Sequence, residues 1–292
     1  MIKKFVALVR FGREKAKIEG VPLSLVRIFI IILNKLDGYI RELDFRKRGL
    51  PSVLLITLPK SGSMFILHSL MGICRLRSLQ TGDHGFPYGS IDGDGLKRFA
   101  KGCAIDQGHY MPSSKNLFLL KREGINKVVV HVRDPRQALL SWVHYVDKLH
   151  KNNIVYTELD IELPLDYFDK TLEEKIDVMI ECWYPHLIGF IDGWLRYQRE
   201  GVSRWDVEVL ITEFKKMKNT PELLFDDIFK FYGIDQSTFP SDVMHHKGTH
   251  SHFRKGELDE WNSVFTAEQI RRTSESMTDE MYDEFGWTRV QP

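Results

Sequence analysis

A chain of 292 residues with 43% hydrophobic content can bury one large core and is too short for two roomy domains joined by a linker. Lysine and arginine number 41 against 40 aspartate and glutamate, so the basic excess that marks a binder of duplex nucleic acid is missing. The three cysteines, Cys74, Cys103 and Cys182, are too irregularly spaced for a disulfide framework or a zinc pair, and they read as reduced thiols of a cytoplasmic protein.

Residues 1–50 are basic and helix-like, punctuated by Gly12, Gly20 and Pro22, and read as a helical segment packed on the domain that follows, residues 51–292. Met1 to Arg10 lacks the long apolar core and small-residue cleavage site of a signal peptide. Val21 to Leu33 is an apolar stretch of 13 residues that contains Arg27, too short to span a bilayer. It predicts an amphipathic helix, compatible at most with weak contact at a membrane surface.

Val53 to Leu58 is a continuous apolar run bounded by Pro51 and Pro59, the pattern of a strand covered on both faces. A helical pattern from Ser63 to Met71 follows directly. Gln80 to Gly108 is rich in glycine and aspartate, and the string from Gly82 to Gly89 has no period and predicts a loop. Lys127 to Val132 is a second buried strand, and Asp134-Pro135 opens a helix to about Leu149, since proline in the first turn loses no needed hydrogen bond. Leu172 to Arg199 reads as one long helix with a kink before Pro185, and Val207 to Ile211 as a third strand. Pro221 to Tyr232 and Thr266 to Phe285 are further helical stretches. Strands alternating with helices predict an α/β domain with a mainly parallel central sheet flanked by helices.

Three strings carry the chemistry. The first strand runs into Pro59-Lys60-Ser61-Gly62-Ser63 and then a helix, which is an anion site for physical reasons. The first N–H groups of the helix lack internal partners, the helix dipole favours negative charge, and Lys60, Ser61 and Ser63 add donors. The order differs from GxxxxGK[ST], because the lysine precedes the glycine. The second strand ends in Arg133-Asp134-Pro135, with Ser141 two helical turns on, near the same carboxyl rim of the sheet. The third string is Phe253-Arg254-Lys255-Gly256, followed by Trp261. Taken singly, these strings also read as a capped helix start, a structural ion pair and a solvated basic turn.

In this order and spacing they resemble the motifs of the family of sulfotransferases that use 3′-phosphoadenosine 5′-phosphosulfate (PAPS): a PKSGT-type loop, an arginine with a serine eight residues later, and an RKG-x-x-x-x-W segment. The resemblance spans roughly residues 52–287. It implies a P-loop-like sulfotransferase fold and transfer of a sulfuryl group to the hydroxyl of an alcohol, carbohydrate or small metabolite. It implies no metal, and the product nucleotide is adenosine 3′,5′-bisphosphate (PAP). Lys60, Ser61, Gly62, Ser63 and Met64 are then expected around the 5′-phosphosulfate, Arg133, Ser141, Arg254, Lys255 and Gly256 around the 3′-phosphate, and Phe65 beside adenine.

Gly108-His109-Tyr110-Met111-Pro112 is similar to the family's TH-x-P segment, so His109 is expected to be the general base, with Lys60 and Ser141 as its catalytic partners. Four departures stand out: Gln107 replaces a lysine, Met64 a threonine, Phe65 a tryptophan, and Thr212 the usual tyrosine beside the nucleotide. The dimer pattern KxxxTVxxxE is also missing, with Asn262 and Arg271 at its charged positions, and that dimer is not expected. The histidines at 245, 246, 250 and 252 lack a cysteine or a second ligand cluster, and read as part of a lid before Arg254 rather than a metal site. Two other readings share these residues: a P-loop small-molecule kinase and a non-catalytic nucleotide-binding relative.

Overall fold

The computed structural model describes residues 49–152, 162–238 and 256–290. The expected N-terminal helices, the histidine-rich string and Arg254-Lys255 lie outside the described residues. The chain divides at Leu50/Pro51 into two compact units, and the second carries everything that follows.

Five parallel strands form its central sheet: β1 (Val53–Thr57), β2 (Arg77–Ser78), β5 (Ala104–Gly108), β6 (Lys127–Val132) and β7 (Glu208–Glu213), in the order β2-β5-β1-β6-β7. Every residue of β1 is buried, because helices cover both faces of the sheet and each side chain meets a layer of apolar groups. The register pairs Ile56 with Gly108, Thr57 with His131, and Val132 with Glu213. The ends of β5, β1, β6 and β7 therefore form one continuous carboxyl rim. Helix α1 (Ser63–Ile73) leaves β1 from that rim, and α4 (Pro135–Lys151) leaves β6 from it.

Three expectations need correction. The segment Gln80 to Gly108, read as irregular, contains a two-residue antiparallel ladder of β3 (Gly82–Asp83) with β4 (Ser90–Ile91), the helix α2 (Gly93–Phe99) and the sheet strand β5. Asp106 hid β5 from the sequence: a carboxylate in a buried strand looks wrong until its partners appear. It accepts hydrogen bonds from the Thr81 N–H (2.7 Å) and hydroxyl (2.6 Å), and pairs with His84 Nε2 (3.1 Å). The long helix from Leu172 is two, Leu172–Cys182 and Tyr184–Arg196, broken at Trp183 because Pro185 has no N–H to continue the ladder. The last stretch is likewise two helices, Ala267–Glu275 and Asp279–Phe285, the second capped by Thr278.

The start of α4 is locked to the C-terminal segment. Asp134 caps the helix and grips the fully buried Arg136 through two guanidinium contacts of 3.0 and 2.6 Å. Arg136 also donates to the Thr288 carbonyl (3.0 Å) and lies 3.8 Å from the centroid of Trp261. Cys74 and Cys103 are buried in the core. Among the described residues no helix is long and apolar enough to cross a membrane.

Candidate active site at the carboxyl rim

The loop from Leu58 to Ser63 is a cradle made by its backbone. Lys60 (φ 63) and Gly62 (φ 86) both take left-handed conformations around Ser61. Alternating hands in successive residues turn consecutive N–H groups toward one point, which is how a short peptide binds an anion. For Lys60, a non-glycine residue, this backbone is strained, and such strain collects at working sites. The carbonyls on the other side of the loop are tied down by β6. Arg133 Nη1 donates to the Lys60 carbonyl (2.9 Å) and His131 Nε2 to the Ser61 carbonyl (3.0 Å).

The Ser61 hydroxyl is buried and has no hydrogen-bond partner among the described residues. A buried, unsatisfied hydroxyl between two left-handed residues at a helix start fits an incoming oxyanion, which would supply the missing partner. The Lys60 ammonium sits 3.9 Å from the centroid of Tyr145. Ser141 lies one turn before Tyr145 on the same face of α4, so the ammonium rests along the face that carries Ser141.

Residue His109 follows β5 directly and is tied to the root of the same loop. Its Nδ1 is 2.6 Å from the Thr57 carbonyl. A carbonyl only accepts, so Nδ1 carries the proton and Nε2 bears the lone pair. Burial lowers its pKa to about 4, against the raising effect of the Thr57 bond, and His84 and Lys60 lower it further. The ring is therefore neutral at neutral pH. The segment between β3 and β4 forms a wall beside it, with the Phe86 ring edge-on at 6.1 Å. Gln107 donates to the Thr57 hydroxyl (2.8 Å) and so braces the same strand end.

Met64 and Phe65 begin α1, and the Phe65 ring is tilted at 6.1 Å from Phe225. The guanidinium of Arg133 lies 3.9 Å from the centroid of Phe214, and its Nη2 reaches the Glu257 carbonyl (2.6 Å). That bond brings Gly256-Glu257 to the β6 rim, beside the loop. The structure thus gathers Lys60 to Phe65, His109, Arg133, Ser141 and Gly256 along one edge. Thr212 is different: it is buried, and its hydroxyl lies 2.8 Å from His131 Nδ1. Sequence reading passed over His131, Tyr145 as the rest of the Lys60 ammonium, and the Asp106–His84 pair. A lone histidine inside Val128 to Val132 was the available signal for the first. Among the described residues no cluster of three ligating side chains could hold a metal ion.

Comparison with known proteins follows the same line. No curated protein sequence matches significantly. Mouse sulfotransferase SULT7A1, solved in complex with PAP, superposes with a TM-score of 0.54 at 16% identity, covering 81% of this chain and 88% of that one. A sulfotransferase from Alicyclobacillus acidocaldarius matches with a TM-score of 0.41 at 14% identity, over 80% of this chain and 98% of that one. The first likeness is one of fold: the parallel α/β sheet with its flanking helices is a sulfotransferase fold. A family model described as sulfotransferase domain matches residues 118–285, more than half of the chain, from the helix before β6 to the last helix. The chain belongs to the sulfotransferase domain family.

Proposed function

We propose that the protein transfers the sulfuryl group of PAPS to an acceptor hydroxyl, with the 5′-phosphosulfate seated in the cradle at Lys60 and His109 acting as general base. One observation carries the reading: the Thr57 carbonyl holds His109 at 2.6 Å, three residues before Lys60, so the base and the anion cradle share one strand end. PAPS supplies an activated sulfuryl group and a nucleotide leaving group. Everything else falls to side chains and backbone of this chain. The N–H groups of the loop and the Ser61 hydroxyl orient the anion. Lys60 leaves the Tyr145 face to neutralise charge on the departing oxygen. His109 Nε2 takes the acceptor proton; the negative charge of the seated donor favours the imidazolium and offsets the burial that keeps the ring neutral beforehand.

Arg133 and Ser141, with Arg254, Lys255 and Gly256, hold the 3′-phosphate in this scheme. The bond from Arg133 to the Glu257 carbonyl supports it, since it brings the third string to the second. The acceptor is the hydroxyl of an alcohol, a carbohydrate or a small metabolite, received at the wall around Phe86. The test is transfer of radiolabelled sulfate from PAPS to a panel of hydroxyl acceptors. Turnover by the natural protein, and its loss in Lys60→Ala and His109→Ala, is expected. Near-normal turnover by Lys60→Ala would rule the assignment out.

A further inference from the structure

We infer that His131 is a positioning residue of the sulfuryl-transfer site, whose Nε2–H fixes the Ser61–Gly62 peptide plane so that the Gly62 N–H faces the bound anion. The inference rests on the reading of the Lys60 loop as the phosphosulfate cradle.

Histidine is an expensive choice here. His131 is fully buried in the middle of the sheet, in a strand whose other residues from Val128 to Val132 are all valine. An apolar residue would fill the place without the cost of burying two ring nitrogens. Both nitrogens are instead used, and the chemistry of their partners fixes the proton. Nε2 lies 3.0 Å from the Ser61 carbonyl, which only accepts, so Nε2 carries the hydrogen. Nδ1 then offers its lone pair to the Thr212 hydroxyl at 2.8 Å, the nearer of that hydroxyl's two partners, since the Val130 carbonyl is 3.4 Å away. The Ser61 carbonyl therefore selects the tautomer, and the Thr212 hydroxyl, free to donate to Nδ1, supports it. Thr212, expected beside the nucleotide, contributes to the cradle through His131.

The consequence for the cradle follows from peptide geometry. In a trans peptide the carbonyl of one residue and the N–H of the next point in opposite directions. Pinning the Ser61 carbonyl toward β6 aims the Gly62 N–H away from β6, into the cradle. Glycine accepts either orientation of that plane, so the side-chain bond selects it. The backbone of the same residue anchors the root of the loop, because the Leu58 N–H donates to the His131 carbonyl at 2.8 Å. Arg133, two residues on, pins the Lys60 carbonyl. Burial, with a contribution from the Arg133 charge, lowers the His131 pKa to about 4 although the Ser61 bond works against it, so the ring stays neutral through the working range.

The test compares two isosteric changes by calorimetric titration with PAP. His131→Gln places an amide near the position of Nε2 and keeps a donor for the Ser61 carbonyl. His131→Asn reaches only the Nδ1 position and leaves that carbonyl unpaired. Both leave a cavity where the ring stood, larger for Asn, so the stability of each is measured in denaturant beside its PAP affinity, and an affinity loss that only follows the stability loss overturns the inference. The expected result is near-natural affinity for the Gln protein and a loss of about tenfold for the Asn protein, the size of one buried hydrogen bond. Thr212→Val is expected to fall between them. Nitrogen-15 spectra of the natural protein give a second readout that needs no variant: His131 should be neutral with its proton on Nε2. Equal affinities for the Asn and natural proteins, or a proton on Nδ1, overturn the inference alone. A natural protein that fails to bind PAP overturns the reading of the site and the inference with it.

Discussion

Gly62→Ala is the sharpest mutational probe of the cradle. The perturbation is one methyl group at φ 86, ψ 17. A left-handed backbone costs an alanine about 1–2 kcal/mol relative to glycine. The new Cβ would also lie 2.5 Å from Met217 Cε and 3.1 Å from the Phe214 ring edge. The methionine tip can swing aside. Phe214 is stiffer, and its ring carries the Arg133 guanidinium on one face. Movement of that ring loosens Arg133 from the Lys60 carbonyl, so strain at Gly62 reaches the loop twice. We expect a stability loss of about 1–2 kcal/mol in chemical denaturation, and a PAP affinity at least about tenfold weaker in calorimetry. The pair Gly62→Ala, Met217→Ala separates the two causes: it removes the closest clash and leaves the backbone strain, so it recovers only part of the loss. Natural stability and natural PAP affinity in Gly62→Ala would refute the nest geometry on which the anion site depends.

Other outcomes follow from the same contacts. With His109 held neutral and its pKa near 4, the acid limb of kcat/KM for the free enzyme should fall well below the 6.5 of an ordinary histidine, and His109→Gln should remove it. Arg136→Ala leaves Asp134 buried without its partner and should destabilise the protein by about 3–5 kcal/mol in denaturant titration. Folding stability should rise with pH between about 4 and 6.5, because His131 and His109 each bind a proton in the unfolded chain and not in the folded one over that window. Each shift corresponds to about 3 kcal/mol of stability, present above pH 6.5 and lost as pH falls toward 4, and His131→Gln should remove one of the two contributions and leave that of His109.

Much of this architecture was legible because covered parallel strands announce themselves. Val53 to Leu58 and Lys127 to Val132 are continuous apolar runs, and each is followed at once by a helix start. The rim rule then places Lys60 and Arg133 together without any coordinates. Two things resisted. Strand β5 carries Asp106 and Gln107, whose polarity is satisfied by Thr81, His84 and Thr57 from other parts of the chain, and a local pattern holds no trace of partners so far away. Thr212 was expected at the nucleotide from its position at the end of the third strand, and the contact of its hydroxyl with the buried His131 could not be read from a local pattern. His109 was reachable only through the family's motif, since nothing local distinguishes it among 11 histidines. Its Thr57 bond and bare Nε2 emerge only when β1 and β5 are paired.

The decisive measurement is calorimetric titration of the natural protein with PAP, set beside AMP and magnesium–ATP. Two separate phosphate ends, one in the Lys60 cradle and one at Arg133 and Ser141, predict that PAP binds well, that AMP binds far more weakly for want of its 3′-phosphate, and that magnesium–ATP does not compete. Binding of magnesium–ATP in preference to PAP, or no binding of PAP at all, would contradict the assignment of this rim to a sulfuryl donor.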